Sequence, residues 1–124
     1  MDRNIRTKNE IMADNYFVII PINFIRSKNY TNNEKMVYTY LFTYGIKSKM
    51  AFPKIDTIAS DLSMSKVTVI KCIKNLCEKK LLAVRKRKNG SKENNIYYLT
   101  DIKKNGEPDI EQFEKNKALM QLLD

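Results

Sequence analysis

Cationic side chains are concentrated in one stretch of this 124-residue chain. Ten lysines and arginines but a single acid, Glu78, lie between Lys66 and Lys92, whereas the remainder of the chain has 13 residues of each sign. The formal net charge of +9 therefore comes entirely from this stretch. Such a concentration favours a polyanionic partner, and the chemistry it offers is the binding of phosphate groups.

The basic residues fall into two groups with different neighbours. The first group mixes lysines with polar side chains: Lys66, Thr68, Lys71, Lys74 and Asn75. The second is a nearly continuous run: Arg85, Lys86, Arg87 and Lys88, followed by Asn89 and Lys92. Donors of these kinds bind phosphate oxygens and the edges of bases. For the first group taken alone, the alternative is a solvated basic face on an ordinary helix.

The apolar spacing around the first group predicts two short helices and a tight turn. In each helix, apolar residues recur at i, i+3, i+4 and i+7: Ile55, Ile58, Ala59 and Leu62, then Val69, Cys72, Ile73 and Leu76. Serine is weak inside a helix but good as an N-cap, so Ser63 breaks the first helix and Ser65 starts the second. Helices joined so briefly share a core by crossing steeply, as in a helix-turn-helix.

The second group lies in a predicted β-hairpin. Leu82 to Lys88 alternates as a strand with Leu82 and Val84 inward, and Ile96 to Thr100 returns as its partner. Asn89-Gly90 is a strong turn signal and begins a polar loop through Asn95. We expect the tip and the outward side of this hairpin to carry the basic run: Arg85, Lys86, Arg87, Lys88 and Lys92. A basic hairpin directly after a helix-turn-helix is a wing, which can lie along a phosphate backbone or enter a minor groove.

Local sequence patterns also define the two ends of the helix that precedes this region. Thr31 and Glu34 have the spacing of a capping box, so a helix begins there and runs to about Tyr44. Gly45 is expected to end that helix in a left-handed conformation.

Composition excludes several other classes of protein. Histidine is absent, the glycines are isolated, and no metal-ligand spacing is present, so we expect no catalytic residues, no metal and no cofactor. Cys72 and Cys77 lie about 140° apart around one predicted helix, so they are expected to be unpaired thiols in a reducing, cytoplasmic environment. No apolar run reaches the roughly 20 residues of a membrane span, and no small-molecule ligand is evident.

Residues 52–82 resemble the winged helix-turn-helix DNA-binding domains of plasmid and phage replication initiators, replisome organisers and related small regulators. The shared motif has an aromatic residue and proline, then both helices, then two leucines. This chain has it at Phe52, Pro53, Ile58, Ala59, Leu62, Ser65, Thr68, Val69, Ile73, Leu76, Leu81 and Leu82, with the wing motif at Asn95, Tyr97 and Leu99. Two departures concern the backbone: Lys54 replaces a capping serine, and Lys80 replaces a glycine before Leu81.

This resemblance covers about residues 16–102 and implies the fold. The expected class is α+β and mainly α, with a three-helix core, a β-hairpin wing and an additional C-terminal helix. We expect residues 1–15 to be a flexible N-terminal arm and residues 16–102 to be the winged domain. Residues 103–124 would be a linker and a C-terminal amphipathic helix.

The expected function is non-enzymatic binding of a specific site in double-stranded DNA, in transcription control, replication initiation or plasmid transfer. The helix of residues 66–79 would contact DNA through Ser65, Lys66, Val67, Thr68, Lys71, Lys74 and Asn75. The wing would contact it through Arg85, Lys86, Arg87, Lys88, Asn89 and Lys92. A homodimer is expected because one small module contacts too few base pairs for tight specificity.

Two apolar residues leave a second interpretation open. Val67 and Ile70 lie on the outer face of the second helix, where the related domains usually have polar residues. Apolar groups there suit thymine methyl groups, or else a protein interface that leaves the wing alone to contact DNA. The candidate dimer interface comprises Val67, Ile70, Phe113, Met120 and Leu123.

Overall fold

Five helices and three strands follow one another in the described part of the chain, residues 17–89 and 92–123 of a computed structural model. Their order is α1 (Ile22–Ile25), α2 (Asn32–Tyr44), β1 (Met50–Ala51), α3 (Ile55–Leu62), α4 (Lys66–Glu78), β2 (Leu82–Asn89), β3 (Lys92–Leu99) and α5 (Ile110–Leu123). The predicted arm at residues 1–15 lies outside the described residues, as do the side chains of residues 88, 89 and 92–94. The predicted class, α+β and mainly α, is confirmed.

Helix α2 begins at the predicted capping box. The Thr31 hydroxyl accepts a hydrogen bond from the Glu34 N–H at 3.1 Å, and the Glu34 carboxylate accepts one from the Thr31 N–H at 3.2 Å. The prediction for Gly45 is wrong, because its φ is −116° rather than positive. Glycine is needed there for space: a Cβ would lie 2.8 Å from Leu99 Cδ1 and 3.0 Å from the Met50 amide nitrogen.

The turn between α3 and α4 has the predicted residues in defined conformations. Ser63 has φ 55° and ends α3 in the left-handed region, and the Ser65 hydroxyl caps α4 by accepting from the Thr68 N–H at 3.1 Å. Lys54 precedes α3 without a side-chain cap, as its replacement of serine predicts. Lys80, at φ 67°, turns the chain from α4 into β2.

The chain after α4 returns as an antiparallel sheet in the order β1-β3-β2. The β2–β3 ribbon pairs from Leu82↔Leu99 to Asn89↔Lys92, so it is longer than the sequence predicts. Backbone pairing continues through residues 93–95 despite their polar side chains, which makes the predicted loop through Asn95 a strand instead.

Each face of the sheet is covered by a different part of the chain. Leu82, Tyr97 and Leu99 join the main core with α2, α3 and α4. Side chains on the opposite face form a second cluster with α5: Ala83, Ile96, Tyr98, Phe113 and Met120. The sheet of the same chain therefore buries Phe113 and partly covers Met120, so we leave both out of the dimer interface proposed below. None of the described helices is both long and apolar enough to cross a bilayer.

Candidate nucleic-acid interface

Helix α4 has one buried side and one exposed side. Val69, Cys72, Ile73 and Leu76 are buried, as their spacing predicts. On the opposite side the exposed residues are Val67, Ile70, Lys71 and Lys74. The two apolar members of this outer face are well exposed, Val67 at 76% and Ile70 at 55%. The outer face of α4 is thus a mixture of lysines and uncovered β-branched side chains.

Polar side chains at the start of α4 form hydrogen bonds and an ion pair with neighbouring residues. The Ser65 hydroxyl donates to the Thr68 hydroxyl at 2.9 Å, and Lys66 Nζ lies 2.8 Å from Asp56 Oδ1 of α3. Both members of that ion pair are exposed, at 65% and 71% of their side-chain surface. Exposed pairs are worth roughly 0–1 kcal/mol, so Lys66 can exchange Asp56 for another anion at little cost.

Asn75 does not share the outer face with these lysines. Its amide donates to Glu34 Oε2 at 3.1 Å, and Lys79 Nζ lies 2.6 Å from Glu34 Oε1. One turn of α4 is about 3.6 residues, which brings Asn75 and Lys79 to the same edge of the helix, beside α2. We therefore leave Asn75 out of the candidate contact residues.

Glu34 is the acceptor that holds this edge of α4. Burial alone would raise the pKa of its carboxyl, but hydrogen bonds from Lys79, Asn75 and the Thr31 N–H outweigh it. The pKa of Glu34 is consequently below its usual value, and the carboxylate stays charged. This arrangement fixes the rotation of α4 about its axis and hence which side chains face outward.

A groove of about 880 Å³ separates α4 from the β2–β3 ribbon. Its apolar floor includes Ile73, Val84 and Tyr97, and Lys74 of α4 and Lys86 of β2 both line it. Two cations from elements that are separate in sequence therefore open onto one concavity. Lys54, which the sequence identified only as a missing cap, is a third cation at this groove, and the acids Asp56 and Glu78 line it as well.

The pleat of β2 divides the basic run between the two faces of the ribbon. Val84 and Lys86 lie on the groove side, whereas Ala83 and Arg85 lie on the side covered by α5. Arg85 Nη2 donates to the Leu123 carbonyl at 3.0 Å, at the end of α5. The expectation that the whole run occupies one outward side is therefore wrong, since successive strand side chains point to opposite faces. Arg87 is exposed.

Both cysteines are free thiols, as their spacing predicts, and neither suits redox chemistry. Burial raises the pKa of Cys77 to about 11, and it also raises the pKa of Cys72. Their part in this region is packing: Cys72 lies in the core, and Cys77 lines the groove.

Comparisons with known proteins agree with this geometry. Residues 29–82, which run from the turn before α2 to the first residue of β2, match a family model described as a helix-turn-helix domain. A solved structure described as "N-Terminal domain of DNA binding protein" superposes with a TM-score of 0.50 at 22% identity, covering 94% of this chain and 96% of its own. A search of curated proteins found no match. With its helix-turn-helix in α3 and α4 and its wing in the β2–β3 ribbon, this chain has a winged helix-turn-helix domain.

Proposed function

We propose that this protein binds double-stranded DNA without catalysing a reaction. Helix α4 enters a major groove, and the wing contacts the adjacent backbone or minor groove. The helix contacts are Ser65, Lys66, Val67, Thr68, Lys71 and Lys74. The wing contacts are Lys86, Arg87, Lys88, Asn89 and Lys92, without Arg85, whose side chain lies on the face covered by α5. The similar solved structure is a domain of a DNA-binding protein, which agrees with this proposal.

The observation that carries the proposal is the groove shared by Lys74 and Lys86. A cationic element beside a helix in the major groove can contact the adjacent phosphates and so position the helix, and the ribbon supplies such an element here. The 13 residues of α4 give a length of about 20 Å, and a major groove about 12 Å wide admits such a helix.

The orientation of α4 also suits this role. Recognition helices contact base edges chiefly through their N-terminal residues. In α4 that part carries Lys66, Val67, Ile70 and Lys71, all exposed. The C-terminal end instead turns Asn75 and Lys79 toward Glu34, so it serves to hold the helix in place.

The test is a salt titration of binding to a duplex. If six to ten phosphates are contacted, the affinity should fall by about 10³–10⁵ between 50 and 200 mM salt. Fluorescence anisotropy on a labelled duplex measures this dependence directly. An affinity that does not change with salt would contradict the proposal.

We further propose that the chain recognises a specific site in transcription control, replication initiation or plasmid transfer. Selecting bound sequences from a random duplex pool would identify that site. Two symmetric half-sites one helical turn or a multiple of it apart would support a homodimer, and an unsymmetric single site would oppose it.

The second copy would bind at the C-terminal end of α5. Leu119, Leu122 and Leu123 are exposed there at 46%, 83% and 51%, on the side of α5 that the sheet leaves uncovered. They are neighbours on one helix surface because residues three and four apart lie together. Leu119→Glu/Leu122→Glu should yield a monomer in sedimentation equilibrium at a concentration where the unchanged chain is dimeric.

A second candidate function is a protein-interaction module with the outer face of α4 as its interface. The exposure of Val67 and Ile70 favours it. Val67→Glu/Ile70→Glu distinguishes the two functions. If self-association is lost while DNA binding through the wing remains, α4 is an interface rather than the element that enters the major groove.

A further inference from the structure

We infer that Val67 and Ile70 select A·T base pairs by contacting thymine methyl groups in the major groove. This rests on the proposed function, and it adds the class of sequence that the protein prefers. The observation behind it is an apolar pair beside lysines on the outer face of α4, with Val67 76% exposed and Ile70 55% exposed at the edge of the groove.

Helix stability does not account for these two residues. Valine and isoleucine lose side-chain freedom in a helix, and lysine, glutamine and glutamate are better helix formers at exposed positions. Both side chains also leave more than half of their surface in water, at 76% for Val67 and 55% for Ile70. These two side chains can therefore contribute favourable free energy only when a binding partner buries them.

The position of the pair matches the chemistry of a major groove. Thymine is the base that presents a methyl group there, whereas the other groove-edge groups are hydrogen-bond donors and acceptors. Residues three apart on a helix place their Cβ atoms about 5–6 Å from each other, and successive bases on a strand are about 3.4 Å apart along the axis. Val67 and Ile70 can therefore contact two thymines at neighbouring positions.

The charges around the pair favour DNA over a second copy of this chain. At about 100° per residue, Lys66, Lys71 and Lys74 surround Val67 and Ile70 on the helix surface. A two-fold contact through this face would bring the same lysines of both copies together. A duplex instead places phosphates on both sides of the groove, where they attract these lysines.

The test replaces thymine by uracil, which removes the methyl group and keeps the base-pairing edge. A site selected from a random pool is synthesised with thymine and with uracil at every A·T pair. Loss of one buried methyl should weaken binding about fourfold, so loss of two should weaken it about 15-fold. Both duplexes should retain the same dependence on salt, because the phosphates are unchanged.

Variants assign the effect to the two residues. Val67→Ala/Ile70→Ala should bind the thymine duplex about 15-fold more weakly and should no longer distinguish it from the uracil duplex. Met36→Ala, at a half-exposed residue on α2, is the matched control and should distinguish the duplexes as the unchanged chain does. A thermal unfolding transition like that of the unchanged chain would show that the double variant is folded.

Four outcomes would overturn the inference. Equal, salt-dependent affinity for both duplexes would remove it and leave the proposed function intact. A double variant that still distinguishes thymine from uracil would assign the preference to other residues. Loss of self-association in the double variant, with DNA binding unchanged, would establish the protein-interface alternative. Salt-independent binding would overturn the proposed function itself, and the inference with it.

Discussion

Lys79 Nζ lies 2.6 Å from Glu34 Oε1, and this ion pair joins the first turn of α2 to the C-terminal end of α4. Glu34 is 2% exposed, and the same carboxylate also accepts from Asn75 and from the Thr31 N–H. One buried side chain therefore caps α2 and holds α4. Because α4 carries the outer face proposed to contact DNA, this carboxylate is a positioning residue for that face.

Glu34→Gln should lower the free energy of unfolding by about 1–3 kcal/mol, because hydrogen bonds to a charged group are replaced by weaker ones at a buried site. Urea unfolding followed by circular dichroism measures the change. Glu111→Gln is the matched control, since that carboxylate is exposed and pairs with Lys115 at 3.4 Å. It should change stability by less than about 0.5 kcal/mol.

The pH dependence of the free energy of unfolding should also differ between the unchanged chain and Glu34→Gln. The pKa of Glu34 is lowered by folding from its usual value of 4.5, so its stabilising effect is fully present above pH 4.5. That effect is lost as pH falls through the lower, folded pKa. The stability difference between the unchanged chain and Glu34→Gln should therefore shrink below about pH 4.5. A constant difference down to about pH 2 would contradict the assignment.

Lys74→Gln/Lys86→Gln tests the shared groove. Each lysine that contacts a phosphate contributes about 1 to the slope of log affinity against log salt, so the double variant should lower that slope by about 2. The control is Lys103→Gln/Lys115→Gln, which removes the same charge from two exposed positions. Lys103 lies in the connection between β3 and α5, and Lys115 lies in α5. It should leave the slope nearly unchanged. Equal effects of both double variants would indicate general electrostatic attraction without a defined contact surface.

Lys80→Gly should stabilise the protein. Lys80 has φ 67° at the end of α4, where the Leu81 N–H bonds to the Leu76 carbonyl at 2.9 Å and the Lys80 N–H bonds to the Cys77 carbonyl at 3.1 Å. A left-handed non-glycine residue costs about 1–2 kcal/mol, and the greater freedom of glycine in the unfolded chain offsets part of that. We expect a net gain of about 0.5–1 kcal/mol.

Lys80→Ala separates the backbone effect from the loss of charge. Alanine keeps the strained conformation, so it should not stabilise the protein although it removes the same charge. If both variants stabilise equally in thermal unfolding, relief of charge repulsion rather than backbone strain would be the cause.

Phe113→Ala tests whether α5 is part of the folded domain. Phe113 is 7% exposed and packs on the outer face of the sheet, so its removal should cost about 3 kcal/mol. Phe52→Ala is the matched control, because Phe52 is 61% exposed, and its cost should be below about 1 kcal/mol. Similar costs for the two variants would mean that α5 contributes little to the domain.

Features that depend on neighbouring residues were determined by the sequence. The capping box at Thr31, the cap at Ser65 and the buried spacing of α4 are local patterns, and the structure confirms each of them. The family resemblance also placed Lys80 where related domains have a glycine, and Lys80 is left-handed there, with φ 67°. These signals were enough to predict a helix-turn-helix followed by a wing.

Contacts between distant segments were decided by the tertiary structure alone. The sequence did not indicate that Asn75 and Lys79 turn toward Glu34, or that Gly45 is needed for its closeness to Met50 and Leu99. The sequence also did not show that Arg85 and Lys86 lie in different surroundings. The two faces of a strand become different only when another element covers one of them. Here α5 covers one face, and its position depends on long-range packing that no local pattern encodes.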